Sequence, residues 1–88
     1  MNWVCDLTKD AQGDLRDLPK AVQKHVARAL GQMQTDPFQG DVRALKGDEW
    51  KGVYRRRVGN YRILFLPDWE QHIVRILRIL IRSGRTYS

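Results

Sequence analysis

Eighty-eight residues make one small domain, because a chain of this size buries only about 60–65% of the surface it exposes unfolded and has no room for a second core. Hydrophobic content of 42%, charged content of 30% and a net charge of +6 describe a globular basic protein, not a disordered one, and no apolar run reaches the roughly 18 residues of a membrane span. The one cysteine, Cys5, excludes an intramolecular disulfide and a cysteine-rich zinc site, and Met1–Asp6 lacks the basic-then-apolar pattern of a signal peptide, so a cytoplasmic protein with no membrane partner is expected.

Asn2–Leu7, with Trp3, Val4 and Cys5, predicts a short strand. Thr8 suits a helix N-cap, Asp10 favours the positive end of the helix dipole, and Ala11, Leu15 and Leu18 recur on one helical face. Gly13 weakens that helix by about 1 kcal/mol relative to Ala. Pro19 fits the first turn of a second helix with an apolar stripe of Leu18, Val22, Val26, Leu30 and Met33. Asp36-Pro37 ends it, because a residue before proline is pushed out of the helical region. Two helices joined this closely predict an antiparallel hairpin.

The second half changes period. Val42–Leu45 predicts a short strand and Lys46-Gly47-Asp48 a turn. Trp50–Val58 and Tyr61–Leu66 are rich in aromatic and β-branched residues, and Gly59-Asn60 between them is a two-residue hairpin signal. Pro67-Asp68 predicts a further turn, and His72–Ile81 a long strand. The order β-α-α-β-β-β defines an α+β fold: a helical hairpin packed on one face of a small antiparallel sheet.

The charge is lopsided. Residues 1–44 hold 6 Lys+Arg against 6 Asp+Glu, whereas residues 45–88 hold 10 against 4, eight of the ten being Arg. Arginine suits bidentate contact with phosphate, so the basic half points to a polyanion. Strand alternation puts Tyr54, Arg56 and Val58 on one face and Val53, Arg55 and Arg57 on the other. In the last strand Arg78 and Arg82 share a parity opposite to Ile73, Leu77, Ile79 and Ile81. The face not covered by helices is therefore expected to show Arg55, Arg57, Arg62, Arg78 and Arg82. The competing structural reading is that these cations only keep a sheet edge soluble.

Leu45-Lys46-Gly47, then Tyr54-Arg55-Arg56-Arg57-Val58-Gly59-Asn60-Tyr61-Arg62, then Ile79-Leu80-Ile81-Arg82, with Tyr87 near the end, resembles the RelE/ParE toxin superfamily over essentially the whole chain. The hairpin is the specific part of the likeness. The resemblance implies the toxin of a toxin–antitoxin pair, with a cognate antitoxin as partner and no small-molecule cofactor. In the RelE branch such proteins are RNases acting on mRNA in the ribosomal A site. In the ParE branch they inhibit DNA gyrase by protein–protein contact.

Carried over position by position, the RNase set falls on Arg55, Arg57, Arg62, Arg82 and Tyr87. Arg57, Arg62, Arg82 and Tyr87 are the expected catalytic residues, and Lys46, Arg55, Arg57 and Arg78 the expected RNA contacts. Arg75 and Arg78 read as structural or antitoxin-facing in preference to catalytic. RelE itself has lysines where this chain has Arg55 and Arg57, and no Asp, Glu or His falls on the motif positions. The resemblance therefore assigns no general base. Arg56 replaces an apolar residue that usually lies on the core side. Tyr54 and Tyr61 read as packing residues, Cys5 as a small buried hydrophobe, and His25 and His72 as isolated histidines without a metal role. A non-catalytic RNA-binding module is the third reading.

Overall fold

A computed structural model describes residues 2–81. The first strand, β1 (Val4–Leu7), ends where Thr8 turns the chain into helix α1 (Lys9–Asp17). Thr8 has extended backbone, and its hydroxyl accepts from the Ala11 N–H at 3.1 Å while donating to the Leu77 carbonyl at 2.9 Å. One hydroxyl thus caps a helix and pins it to the last strand. Gln23 closes the hairpin: its side-chain amide donates to the carbonyls of Leu15, Arg16 and Leu18 at 3.0–3.1 Å, satisfying groups left open at the end of α1. Helix α2 (Lys20–Thr35) starts after Pro19, which occupies the cap position itself. It buries Val26, Ala29 and Met33 and stops at Asp36, ahead of Pro37.

The remaining strands are β2 (Val42–Ala44), β3 (Tyr54–Val58), β4 (Tyr61–Asp68) and β5 (Ile73–Ile81), in the spatial order β1-β5-β4-β3-β2. Two helices on a five-stranded sheet in the order β-α-α-β-β-β match the expected architecture, with one correction: β1 pairs with β5 in parallel, so the sheet is mixed. The helical hairpin carries the chain from β1 at one edge of the sheet to β2 at the other, and three antiparallel steps then bring β5 back beside β1.

Three features differ from the periodicity. Residues 50–53 do not join β3, because a 3₁₀ turn (Asp48–Trp50) and Gly52 at φ 82° fold them into a loop. Strand β4 runs through Pro67, which pairs with β5 at a point where β3, whose last partner is Phe65, no longer asks for its missing N–H. The turn follows one residue later, with the Asp68 carboxylate accepting from the Glu70 and Gln71 N–H groups at 3.1 Å.

The third difference is a bulge opposite Leu64/Phe65 that shifts the alternation of β5. Val74, Ile76 and Ile79 all point to the helices, whereas alternation alone puts Ile73 and Leu77 on that side. With Trp3, Ala11, Val26, Ala29, Met33, Ile63 and Phe65 they make one core between helices and sheet. An aromatic chain closes its end: Trp3 stacks on His72 and meets Trp69 edge-on, and Trp69 stacks on Phe38. Among the described residues no helix is long and apolar enough to cross a membrane.

Beyond the end of β1, α1 covers the edge of β5. Asp14 accepts two bonds from Arg78, at 2.8 and 3.1 Å, and one from the Ile79 N–H at 2.9 Å, so a helix carboxylate replaces a strand partner. The Arg78 hydrogen bonds hold the Asp14 carboxyl below its ordinary value of 3.8, burial pushes the other way, and the Ile79 N–H adds to the lowering. A lowered folded-state pKa gives stability that is complete above the ordinary value and fades as pH falls through the folded one. Asp14→Asn is expected to cost about 1–3 kcal/mol near neutral pH. The gap in Tm from wild type should close as pH drops below 3.8, which thermal melts across an acid pH series would measure.

Candidate functional site

The site is built on the β3–β4 hairpin. Gly59 takes φ 58° at the first of the two loop residues, a conformation that glycine adopts without strain and that two-residue hairpins need. The tight turn fixes the register: Val58 faces Tyr61, Arg57 faces Arg62, and Arg55 faces Leu64. Arg62 in turn faces Leu80 of β5, and Arg43 of β2 faces Arg55. Paired residues share a face, so Arg55, Arg57 and Arg62 lie together on the side of the sheet away from the helices, with Arg43 extending the row.

Like charges placed directly opposite one another destabilise a sheet. The Arg57–Arg62 pair is therefore a poor device for holding strands together and a good one for meeting an anion. Burial lowers the Arg55 pKa first, the neighbouring Arg62 lowers it further, Asp41 works against this, and Arg43 and Arg57 add to the lowering. The group stays a cation, as arginine does in proteins. Among the described residues, its buried Nη1 has no hydrogen-bond acceptor. Arg57 is exposed and touches the Gly59 carbonyl through Nε at 3.5 Å.

The loop between β2 and β3 forms the wall of the site. The Trp50 N–H donates to the Gly47 carbonyl at 3.1 Å and the Val53 N–H to the Trp50 carbonyl at 2.9 Å, which sets Trp50 beside the sheet. Trp50, Leu45, Lys46, Arg62, Leu64 and Leu80 line a cavity of about 190 Å³. Leu64 is 7% exposed although it points away from the helices, so this loop shelters part of the basic face.

The structure thus brings Lys46, Arg55, Arg57 and Arg62 into one neighbourhood. Arg78 is drawn aside to Asp14, and Arg75 contacts Asp6 at 3.2 Å. Arg82 and Tyr87 lie outside the described residues. Arg56 points the other way, under α2, where it is 8% exposed and donates to the Ala29 carbonyl and the Gln32 side chain. Tyr54 packs against Phe38 and Phe65, a core role. Burial pushes the Cys5 thiol up to about 11, and its Sγ lies 3.5 Å from the Leu30 carbonyl. Sequence reasoning overlooked the Trp50 cavity and Arg43. The signal available for the first was a tryptophan within the loop that follows Leu45-Lys46-Gly47.

Residues 6–85 match the family model for the ParE toxin of the type II toxin–antitoxin system parDE. A Methanocaldococcus jannaschii protein named as a RelE1 toxin is 30% identical over 96% of this chain and 94% of its own length. Among solved structures, the RelBE2 toxin–antitoxin complex of Mycobacterium tuberculosis has a chain that superposes with a TM-score of 0.83 at 28% identity, covering 93% of this chain and 100% of that one. The archaeal RelE–RelB complex of Pyrococcus horikoshii gives 0.79 at 27%, covering 98% and 100%. The fold and its basic hairpin face define a small α+β toxin, and the chain belongs to the RelE/ParE superfamily of type II toxins.

Proposed function

We propose that this toxin is an endoribonuclease of the RelE kind, which cuts mRNA in the ribosomal A site without a metal and is held in check by a cognate antitoxin. The observation that carries the reading is the row of Arg55, Arg57 and Arg62 on the uncovered face, with Arg57 and Arg62 directly paired. RNA supplies its own nucleophile. The 2′-hydroxyl attacks the adjacent phosphorus, the bond to the 5′-oxygen breaks, and a cyclic 2′,3′-phosphate and a 5′-hydroxyl result. Negative charge grows on the phosphoryl oxygens during the attack, and fixed guanidinium groups aimed at them act where the barrier is highest.

Arg62 and Arg57 take that role, joined by Arg82. Lys46 and Arg55 hold neighbouring phosphates, so affinity falls steeply with salt. Tyr87 stacks on a base or hydrogen-bonds near the 2′-hydroxyl. Because arginines in proteins stay cationic, Arg57 and Arg62 offer no base, and catalysis rests on orientation and charge stabilisation, with proton removal left to Tyr87 or to a ribosomal group. Arg78, engaged by Asp14, is held back from direct contact with RNA.

The testing experiment is a translation reaction on a defined message, with the 3′ ends of the products mapped. Cleavage within codons that requires ribosomes is expected, and Arg82→Ala and Tyr87→Phe should each reduce it by at least about tenfold with little change in melting temperature. The family model that matches is described by its ParE members, which makes gyrase inhibition the second reading. Intact message together with gyrase-linked DNA breaks would establish that reading and remove the first. RNA binding with neither effect would leave a passive module.

A further inference from the structure

The cavity under Trp50 has a composition that phosphate binding does not explain. Among the described residues it is lined by Leu45, Leu64, Leu80 and Trp50, and its polar members are two cations, Lys46 and Arg62. An anion-only site has no use for three leucines and a tryptophan. At about 190 Å³ it is smaller than the roughly 300–1,000 Å³ that holds a drug-sized ligand, and suits a single planar ring system. Trp50 is 38% exposed, although a ring of its size gains by burial, and the backbone bonds at Gly47 and Val53 hold it in place.

We propose that this cavity is a nucleobase subsite, in which one base of the bound RNA stacks on Trp50 against the leucine wall while the phosphates flanking it rest on Lys46 and Arg62. The inference rests on the nuclease reading and deepens it by assigning a base contact beside the phosphate contacts. Charge complementarity selects the occupant: an apolar slot whose charged lining, among the described residues, is Lys46 and Arg62 fits a flat, neutral base on an anionic strand. It does not fit a hydrophobic side chain, which gains nothing from the cations. Stacking tolerates any base, so the subsite adds affinity and register with only a mild preference for purines.

The experiment titrates the full-length toxin with a short fluorescein-labelled single-stranded RNA, reading anisotropy for affinity and tryptophan emission for stacking. Wild type is expected to bind with quenched emission. Trp50→Ala should bind about tenfold more weakly, with an unchanged salt dependence because the phosphate contacts remain. Trp50→Phe keeps an aromatic platform and should stay within about threefold of wild-type affinity while losing most of the quenching. Circular-dichroism melts confirm that both variants fold. Wild-type affinity in Trp50→Ala overturns the subsite and leaves the nuclease reading standing. Emission that responds to the purified antitoxin and not to RNA also overturns it, and assigns the cavity to a protein partner. A wild-type toxin that neither binds RNA nor cuts ribosome-bound message overturns both proposals.

Discussion

Arg62→Ala is expected to slow message cleavage by about 10²–10³-fold, the loss seen when one well-aimed donor to a developing oxyanion is removed. Arg62 stands at the centre of the site: it faces Arg57 across the hairpin, faces Leu80 on the other side, and lines the cavity with Lys46. No other described cation combines these three positions. Its removal also relieves repulsion against Arg55, whose pKa it lowers. Arg62→Lys keeps the charge but loses the planar fork that meets two phosphoryl oxygens at once, and should recover only part of the rate. Arg57→Ala should cost less, because Arg57 is exposed and its field is weakened by water. Single-turnover cleavage on programmed ribosomes measures all three. Wild-type rates in Arg62→Ala would remove the charge-stabilisation argument while leaving the family assignment untouched.

How much of this could be read from residue order depends on how far apart the interacting groups lie. The hairpin was legible because everything it needs is local. Gly59-Asn60 sets the turn, the turn sets the register, and alternation then separates Arg55 and Arg57 from Arg56. The helix boundaries at Thr8 and Asp36 were legible for the same reason. Long-range geometry was not. Asp14 and Arg78 meet across 64 residues of sequence, and no spacing rule reveals that a helix carboxylate will close the edge of β5. The bulge opposite Leu64/Phe65 breaks strict alternation in β5, so Leu77 was misplaced although every residue in the strand was correctly read as β. The parallel pairing of β1 is likewise set by the path of the whole chain back to β5, not by four residues whose alternation fits either direction. By composition Trp50 opens the predicted strand Trp50–Val58; only the fold sets it in a loop that lines one cavity with Leu64.

Arg56 is where local pattern and family likeness pulled apart, and it supports the second large effect. Its position calls for an apolar residue, and the structure keeps the position inward: the side chain lies beneath α2, donating to the Ala29 carbonyl and the Gln32 side chain. The guanidinium also packs on Gly40, where a Cβ would come within 3.3 Å of Nη2 and where φ is +92°. Burial lowers the Arg56 pKa, the sign of a cation taken from water without an acid to repay it, and its Nε finds no acceptor among the described residues. A buried charge satisfied only by neutral acceptors is a weak source of stability, whereas its long aliphatic stem fills space that the core needs.

These two terms predict opposite outcomes for two substitutions at one position. Arg56→Ala removes the stem and leaves a cavity under α2, and should cost about 2–4 kcal/mol, a fall in Tm on the order of 10–20 °C. Arg56→Met keeps the volume and discards the charge, and should melt within about 1 kcal/mol of wild type or above it. Gln32→Ala should cost about 1 kcal/mol in the wild-type background and nothing when combined with Arg56→Met, because the partner it serves is then gone. Cleavage by Arg56→Met should match wild type, since the side chain is on the far face of the sheet from Arg55, Arg57 and Arg62. A large loss of stability in Arg56→Met would show that the guanidinium, and not the stem, joins α2 to the sheet.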